Sequence, residues 1–354
     1  MIDLLRLIID IATIYSIFLI LASSMELEYG ELGIPNFGKV MFFATGAFTV
    51  GALAVRLGVF LANIIWRGEF KTKSIYYSTL VTNYFASHPL QAITVFLVTL
   101  ILAVLFGAIL GVIASYPAIR LREDYLAITL IATGELFRVI GRNYEPLVGG
   151  TLGVGIPDIL AWLPGRTREI SFLLLSTSLA IVIWLILLRL STSPFGRTLR
   201  AIRDNEIAAD ALGKDIVKIR MKVLAIGSAM AAVAGVIYAY YMGTVHADDF
   251  SPLKTFLVVL MVVLGGRGNP YGTLVGVGIY IVLDRVLTLL KHYIYLPFDI
   301  NYLSYMAFGT LLILVLMYRP KGILPEKPSL TIDFSKVISR LREEAEASPE
   351  GSGG

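Results

Sequence analysis

Long apolar runs separated by short polar intervals dominate the chain. The runs lie at about 4–24, 38–62, 91–114, 124–140, 170–190, 218–242, 253–264, 271–290 and 302–318. A helix rises about 1.5 Å per residue and the hydrocarbon core of a bilayer is about 30 Å thick, so about 20 residues cross it. Because most runs reach this length, the pattern predicts an all-α integral membrane protein. We expect a polytopic bundle of about eight to ten transmembrane or half-membrane helices.

Two of the runs are too short to cross a bilayer comfortably. The runs 124–140 and 253–264 are each followed by a glycine-rich loop. Unwound backbone at membrane depth is tolerated only where protein buries it or where it lines a wet cavity. We therefore expect a translocation path to pass the glycines of these loops, namely Gly149, Gly150, Gly265 and Gly266.

Small residues predict two further features of the helices. The glycines at positions 46, 51 and 58 predict a break in the helix over 38–62. The stretch AIGSAMAAVAG at 225–235 predicts a close helix–helix contact, because small side chains let helices approach each other in lipid. This contact lies either within the chain or at a seam with a partner chain.

Composition agrees with a membrane protein and offers little to metal or redox chemistry. Hydrophobic residues make up 56% of the 354 residues and charged residues 16%, and the mean hydropathy is +0.77. Soluble domains carry about 25% charged residues. The chain has no cysteine, and its three histidines, His88, His246 and His292, are scattered. We therefore expect no disulfide, no metal site and no cofactor, and the net charge of +4 gives no reason to expect nucleic acid.

The end of the chain differs from the rest. After residue 325 the sequence becomes polar, and it ends in PEGSGG. Such a composition is typical of a solvated segment without a packed core. We divide the chain into a transmembrane domain, 1–325, and a polar, partly disordered tail, 326–354.

The distribution of lysine and arginine predicts the orientation. The interval 189–222 contains eight of them, so it should face the cytoplasm. Arg319 and Lys321 follow the last apolar run, which places the C-terminus on the same side. Because an even number of crossings must separate the two intervals, the short run 253–264 has to cross or re-enter.

The polar interval SPFGRTLRAIRDNEIAADALGKD at 193–215 has the features of a capped helix. Ser193 is a good N-cap residue, Pro194 suits the first helical position, and Gly213 suits the left-handed residue after the last turn. We predict one helix over 194–213. Its apolar residues recur at helical spacing and form one stripe: Phe195, Leu199, Ile202, Ala209 and Leu212.

Charges of both signs cover the rest of this helix. Arg200 and Asp204 stand at ion-pairing distance on a helix surface. The same holds for Arg203 and Glu206. One interpretation is a solvated helix on the membrane surface, but such helices concentrate lysine and arginine on their polar face. The mixed charge favours a helix that docks in a groove of a protein partner.

Three other stretches accompany this segment in a recognisable order. They are IPNFGKVMFFATGAFT at 34–49, LREDYLAITLIATGELFRVIGRNYEPLVGGTLGV at 121–154 and VVLGGRGNPYGTLVGVGIY at 262–280. The four motifs resemble those of the permease subunit of branched-chain amino acid ABC importers, and the resemblance covers about residues 30–325. Where such permeases often carry NFGH, this chain has Asn36-Phe37-Gly38-Lys39.

The resemblance implies a heteromeric importer of branched-chain amino acids or related small polar solutes. This chain would pair with a second, related permease subunit, two cytoplasmic ATPase subunits and an external solute-binding protein. It would itself have no catalytic residue. The helix 194–213 would be the coupling helix that docks on an ATPase, through Phe195, Arg197, Leu199, Arg200, Ile202, Arg203, Asn205, Glu206, Ala209, Leu212 and Gly213.

The stretch GIPNFGKV, from Gly33 to Val40, comes close to a phosphate-binding loop. It fails at its last position, where valine replaces the hydroxyl side chain that binds magnesium, and Pro35 removes a backbone donor. It also follows an acidic linker, which holds Glu26, Glu28 and Glu31. We interpret the stretch as a turn that opens a helix, with Asn36 and Lys39 near an end of the path.

Glu135 and Arg138 are three residues apart in the run 124–140, so they can pair. An ionisable residue at membrane depth is by default a functional hypothesis, whereas a pair at the interface has a structural role. The sequence leaves both roles open. Thr133 and Glu135 complete the tentative set of path residues.

Two other classes of function compete with the importer. An ion-coupled secondary transporter also uses broken helices and glycine-rich loops at the midplane, but it needs acidic residues deep in its spans. An intramembrane enzyme ranks last, because the sequence shows neither HExxH nor a convergent Ser/His/Asp set. We therefore expect a multi-pass transport subunit of the cell membrane rather than an enzyme.

Overall fold

The computed structural model describes residues 4–121, 123–290, 300–326 and 339. Helices α1 to α13 span, in order, Leu4–Met25, Lys39–Leu61, Phe70–Ser87, Pro89–Arg120, Glu123–Asn143, Glu145–Val148, Gly165–Thr192, Pro194–Asp204, Glu206–Ala211, Ile216–Met242, Pro252–Gly265, Pro270–Leu290 and Ile300–Tyr318. Two short strands, β1 (Val154–Gly155) and β2 (Thr244–Val245), form an antiparallel pair. The chain is therefore helical, as its apolar pattern predicts.

Six helical stretches among the described residues are long and apolar enough to cross a membrane. They are Leu4–Glu31, Lys39–Leu61, Pro89–Ala118, Gly165–Thr192, Ile216–Met242 and Pro270–Thr288. Two shorter apolar helices, Pro252–Gly265 and Met306–Tyr318, accompany them. This set confirms the predicted all-α membrane fold.

The first span is longer than the sequence pattern indicates. α1 continues into a π-helical segment, Glu26–Glu31, which packs against α7, α8 and α10. Glu26, Glu28 and Glu31 are all fully buried there. The acidic linker expected at this place is therefore wrong, because the segment lies inside the bundle rather than in solvent. Short π-helical segments are frequent at functional sites.

α2 is one continuous helix, so the break predicted at its glycines is wrong. The glycines permit close packing instead. A Cβ at Gly46 would lie 1.9 Å from the carbonyl oxygen of Ala232 in α10. One at Gly235 would lie 2.0 Å from the carbonyl oxygen of Phe43 in α2. Of the two alternatives for the stretch 225–235, the structure therefore shows the contact within the chain.

α11 is a half-membrane helix that is fixed at its C-terminal end. Its 14 residues reach about 21 Å. The carbonyls of Leu264 and Gly265 accept hydrogen bonds from the backbone N–H groups of Ile323 and Leu324, at 3.0 and 2.9 Å. Gly266 then adopts φ +119°, which favours glycine, and the chain turns back into α12.

The bundle has two polar ends. α8 and α9 connect the end of α7 to the start of α10, and together with residues 319–326 they form what we call the loop end. β1 and β2 lie at the opposite end, where α7 begins and α10 ends, and we call it the strand end. An ion pair between Asp158 and Arg168, 2.8 Å long, ties the chain after β1 to the first turns of α7.

Candidate functional site

The segment after α7 forms two helices rather than one. Ser193 caps α8 by accepting a hydrogen bond from the Gly196 N–H at 3.3 Å, as predicted. Asn205 has an extended backbone (φ −157°) and caps α9 by accepting from the Ala208 N–H at 3.0 Å. The single helix predicted over 194–213 is therefore wrong. An asparagine side chain can hydrogen-bond nearby backbone groups and so compete with a continuous helix. Here Asn205 follows the end of α8 and caps the start of α9.

The apolar stripe of this segment faces the chain's own bundle. Leu199, Ile202 and Ala209 are buried in the hydrophobic core, and Phe195 packs against it. The expectation that the whole stripe docks on a partner is therefore corrected, because these side chains pack against the membrane helices of their own chain. Leu212, the fifth stripe residue, is 77% exposed.

The outward surface of α8 and α9 consists of other residues. Ile207, which the sequence pattern did not single out, is 84% exposed. Of the predicted docking residues, Arg197, Asn205, Glu206 and Gly213 are also exposed. Gly213 has the predicted left-handed conformation, with φ +75°. We call Arg197, Asn205, Glu206, Ile207, Leu212 and Gly213 the outer surface of the loop end.

Two arginines of α8, Arg200 and Arg203, form contacts with the interior of the bundle. Arg200 forms an ion pair with Glu31 at 2.9 Å. The same buried carboxylate accepts a hydrogen bond from Ser191. The predicted pair of Arg200 with Asp204 is therefore wrong, because the π-helical segment places a buried carboxylate within closer reach.

Arg203 also binds inward. Its guanidinium donates to the carbonyl oxygen of Gly30 at 2.7 Å and pairs with Glu326 at 2.8 Å. Burial opposes its charge, but the carboxylates of Glu326 and Asp204 raise the pKa of Arg203, so it stays a cation. The predicted pair between Arg203 and Glu206 is therefore wrong.

Glu206 instead joins α9 to α10. Because the chain breaks at Asn205, the helical spacing between Arg203 and Glu206 is lost, and Glu206 pairs with Arg220 at 2.8 Å. Of the predicted tail, Glu326 is bound to α8, and residues 327–338 and 340–354 lie outside the described residues.

The start of α2 holds a fully buried ion pair. The Lys39 ammonium lies 2.6 Å from the Glu28 carboxylate, and both side chains are fully buried. The Asn36 side chain donates to the same carboxylate at 2.7 Å, and Lys39 donates to the carbonyl oxygen of Ser24 at 3.4 Å. Removing charges from water is expensive unless they are paired and hydrogen-bonded. Here Oε2 of Glu28 binds both Lys39 and Asn36, whereas Oε1 has no hydrogen-bond partner among the described residues. We call Glu28, Asn36 and Lys39 the closed cluster.

The pair predicted on α5 is confirmed. Arg138 pairs with Glu135, and its guanidinium also reaches Asp248 at 2.5 Å. The Glu135 side chain is 38% exposed. Thr133, on the same helix, is half-buried and donates to the carbonyl oxygen of Thr129 at 2.7 Å.

The structure does not bring the eight tentative path residues together. Asn36 and Lys39 lie in the closed cluster, and Thr133 and Glu135 lie on α5. The four glycines occupy two further places. Gly149 and Gly150 form a turn near β1 with φ +70° and +64°, whereas Gly265 and Gly266 pack against residues 322–324 at the loop end. The role of all eight residues in the path stays a prediction.

One half-buried lysine was missed by the sequence analysis. Lys254 lies in the first turn of α11, and its ammonium donates to the Tyr238 hydroxyl at 3.1 Å. A lysine just after a proline at the start of an apolar run was the available signal. It resembles an ordinary interfacial lysine until the fold shows that α11 begins inside the bundle.

Comparison with known proteins places most of the chain in one family. The family model of the branched-chain amino acid transport system permease component matches residues 7–316. The chain is 39% identical over 332 residues to the probable branched-chain amino acid transport permease protein LivM of Methanocaldococcus jannaschii, with 92% of this chain and 96% of that protein covered.

More distant relatives carry similar names. The high-affinity branched-chain amino acid transport system permease protein LivM of Escherichia coli is 28% identical over 349 residues, with coverage of 92% and 72%. LivH of Salmonella typhimurium, named as a permease protein of the same kind of system, is 25% identical over 324 residues, with coverage of 88% and 92%. No solved structure matches the chain significantly. The helical membrane fold and these matches together show that the chain belongs to the family of branched-chain amino acid transport permeases.

Proposed function

We propose that this chain is the permease subunit of an ATP-driven importer of branched-chain amino acids. It lines the translocation path together with a second, related permease subunit. Two separate ATPase subunits hydrolyse ATP in the cytoplasm, and an external solute-binding protein delivers the solute. The names of the LivM and LivH relatives support this substrate class.

The loop end supports an ATPase as the partner. Its outer surface exposes two large aliphatic side chains, Ile207 and Leu212, on helices that also carry charges of both signs. Exposed apolar groups rimmed by polar residues mark protein interaction sites. The eight lysines and arginines of the interval 189–222 favour the cytoplasm for this end.

The observation that carries the proposal is the link from this surface into the first membrane span. Arg200 pairs with Glu31 at 2.9 Å, and Arg203 binds the carbonyl oxygen of Gly30 at 2.7 Å. Both partners belong to the π-helical segment that extends α1. A force on the outer surface therefore acts on a transmembrane helix through charge-assisted hydrogen bonds, which are the strong kind.

A second candidate is an ion-coupled secondary transporter, and the buried carboxylates favour it. Glu26, Glu28 and Glu31 lie inside the bundle, where acidic residues serve proton and ion pathways in transporters. Glu28 and Glu31, however, already hold Lys39 and Arg200. Of the three, only Glu26 has no hydrogen-bond partner for its carboxylate among the described residues, so the second candidate depends on this one residue.

Reconstitution in proteoliposomes separates the two functions. The chain is combined with the products of its neighbouring genes, and uptake of labelled leucine is measured with ATP, with a non-hydrolysable analogue and with imposed ion gradients. The importer requires ATP hydrolysis and every partner. Uptake by the chain alone, driven by an ion gradient, would replace the importer by the second candidate.

The docking surface is tested by the substitution Ile207→Asp. A charge at the centre of the outer surface should weaken association with the ATPase about tenfold or more, as expected for an interface anchor. Association is measured by co-purification and by titration of the ATPase onto the permease. Because Ile207 makes no core contact, the membrane fold should be retained.

The matched control is Ile75→Asp in α3. Ile75 is 61% exposed and lies beside Gly155 of β1, at the strand end. This substitution should leave ATPase association unchanged. Equal association of wild type and Ile207→Asp, or an equal loss with Ile75→Asp, would remove the outer surface as the docking site.

A further inference from the structure

Lys254 lies inside the bundle, well away from the loop end. The end of α11 at Gly265 is bound to Leu324 at the loop end, and Lys254 stands eleven residues before it, or about 16 Å along the helix. Half of the hydrocarbon core measures about 15 Å. An ionisable side chain at this depth is by default a candidate for the transport pathway.

The ammonium of Lys254 is surrounded by aromatic rings from three parts of the chain. It lies 4.5 Å from the ring centroid of Tyr238 in α10, 5.4 Å from that of Phe250, and 5.9 Å from that of Phe43 in α2. These distances permit cation–π attraction, which holds the ammonium in place. The rings do not neutralise its charge.

No anion in contact balances this cation. Among the residues that the structure describes, Lys254 forms no ion pair within 4.0 Å, and Asp249 acts on it only through its charge. Asp249 likewise makes no ion pair or side-chain hydrogen bond in the described part of the chain. Both side chains are half-buried.

The start of α11 adds to the positive side of this place. Its N-cap residue, Ser251, makes no side-chain hydrogen bond to the first turn. The N–H groups of a first helical turn have no partner within the helix, and together they carry partial positive charge. An anionic group beside Lys254 would therefore meet both the ammonium and these donors.

We propose that Lys254 and Asp249 form a binding site for the transported amino acid within the permease itself. The substrate carboxylate binds the Lys254 ammonium and the first turn of α11, and the substrate ammonium binds the Asp249 carboxylate. The inference rests on the proposed function and names the polar groups of this chain that meet the substrate. A zwitterion fits because it presents one charge of each sign to the two uncompensated charges.

Direct binding to the assembled importer, without its solute-binding protein, tests this site. Binding of labelled leucine is measured at equilibrium for wild type, Lys254→Met, Lys254→Arg and Asp249→Asn. Loss of a charge-assisted contact should raise the Kd of Lys254→Met and of Asp249→Asn about tenfold or more, whereas Lys254→Arg should stay closer to wild type. Lys214→Met, which removes an exposed lysine of the loop end, serves as the charge control and should leave the Kd unchanged.

Ligand analogues test the same site in the wild-type protein, so the answer does not depend on how the variants fold. Leucinol lacks the carboxylate and 4-methylpentanoate lacks the ammonium, so each should bind about tenfold or more weakly than leucine. In Lys254→Met, leucinol and leucine should bind alike. Equal binding of all three ligands to wild type, or unchanged leucine binding in Lys254→Met, overturns the site.

Failure of the site and failure of the proposed function give different results. If ATP drives leucine uptake by wild type and Lys254→Met equally well, the importer stands and the site is wrong. If no leucine uptake depends on ATP in the complete wild-type complex, the proposed function is wrong, whatever the binding results are.

Discussion

Two lysines lie at nearly the same depth in the bundle and have opposite surroundings. Lys39 begins α2 and Lys254 stands in the first turn of α11, and the Val40 N–H donates to the Thr255 hydroxyl across the two helix starts at 3.1 Å. Lys39 is fully buried against Glu28. Lys254 is half-buried among aromatic rings with no carboxylate in contact among the described residues.

The difference separates a charge that stabilises the fold from a charge that can bind a ligand. The charge of Lys39 is already balanced by the Glu28 carboxylate, and breaking this buried ion pair leaves an isolated charge in a medium of low dielectric constant. A cation held by ring faces is fixed in position and still lacks a counter-ion. We therefore propose a structural role for the closed cluster and a substrate-binding role for Lys254.

The largest expected effect is on stability, from Lys39→Met. Methionine keeps the length of the side chain but leaves the Glu28 carboxylate buried without its cation, which costs about 3–5 kcal/mol. The apparent melting temperature of the detergent-purified protein should fall strongly, and the double variant Glu28→Met with Lys39→Met should recover most of the loss.

Lys254→Met sharpens the comparison when its melting temperature is measured in the same way. Among the described residues no carboxylate contacts Lys254, so this substitution leaves no buried charge without its partner. The melting temperature should therefore change little. If Lys39→Met melts like wild type, or if Lys254→Met is as destabilised as Lys39→Met, the division into a closed cluster and an open site is wrong.

A smaller effect is expected from Gly227→Ala in α10, which probes how tightly the closed cluster is enclosed. The new Cβ would lie 2.1 Å from a carboxylate oxygen of Glu28. Such overpacking costs about 1–3 kcal/mol. Melting temperatures should therefore rank Gly227→Ala between Lys39→Met and wild type.

The control for that substitution is Gly309→Ala in α13, where an added Cβ meets nothing within 4 Å. Alanine favours helices over glycine, so this variant should be neutral or slightly more stable. Two glycine-to-alanine variants with the same stability would show that the space around Glu28 is not restricted.

The membrane fold could be predicted from the sequence because length and hydrophobicity determine spanning helices almost independently of tertiary contacts. The caps at Ser193 and Gly213 were also local enough to predict. The break at Asn205 was not, because one asparagine inside an otherwise periodic stripe is compatible with a continuous helix.

Local pattern failed where long-range contacts decide the outcome. Glu26, Glu28 and Glu31 resemble a solvated linker in sequence. The burial of Glu28 and Glu31 is stabilised by Lys39 and Arg200, which are distant in sequence. The apolar stripe was found correctly, but amphipathic periodicity does not tell which partner covers it. Here the partner is the chain's own bundle for Leu199, Ile202 and Ala209.

The central claim is that work done by the ATPases enters the bundle through Arg200 and Glu31. The most direct test is the amount of leucine transported per ATP hydrolysed by the reconstituted complex carrying Arg200→Met. We expect ATP hydrolysis within about twofold of wild type and the transport ratio about tenfold lower, a typical size for a coupling free energy between two sites. An unchanged ratio would contradict the account.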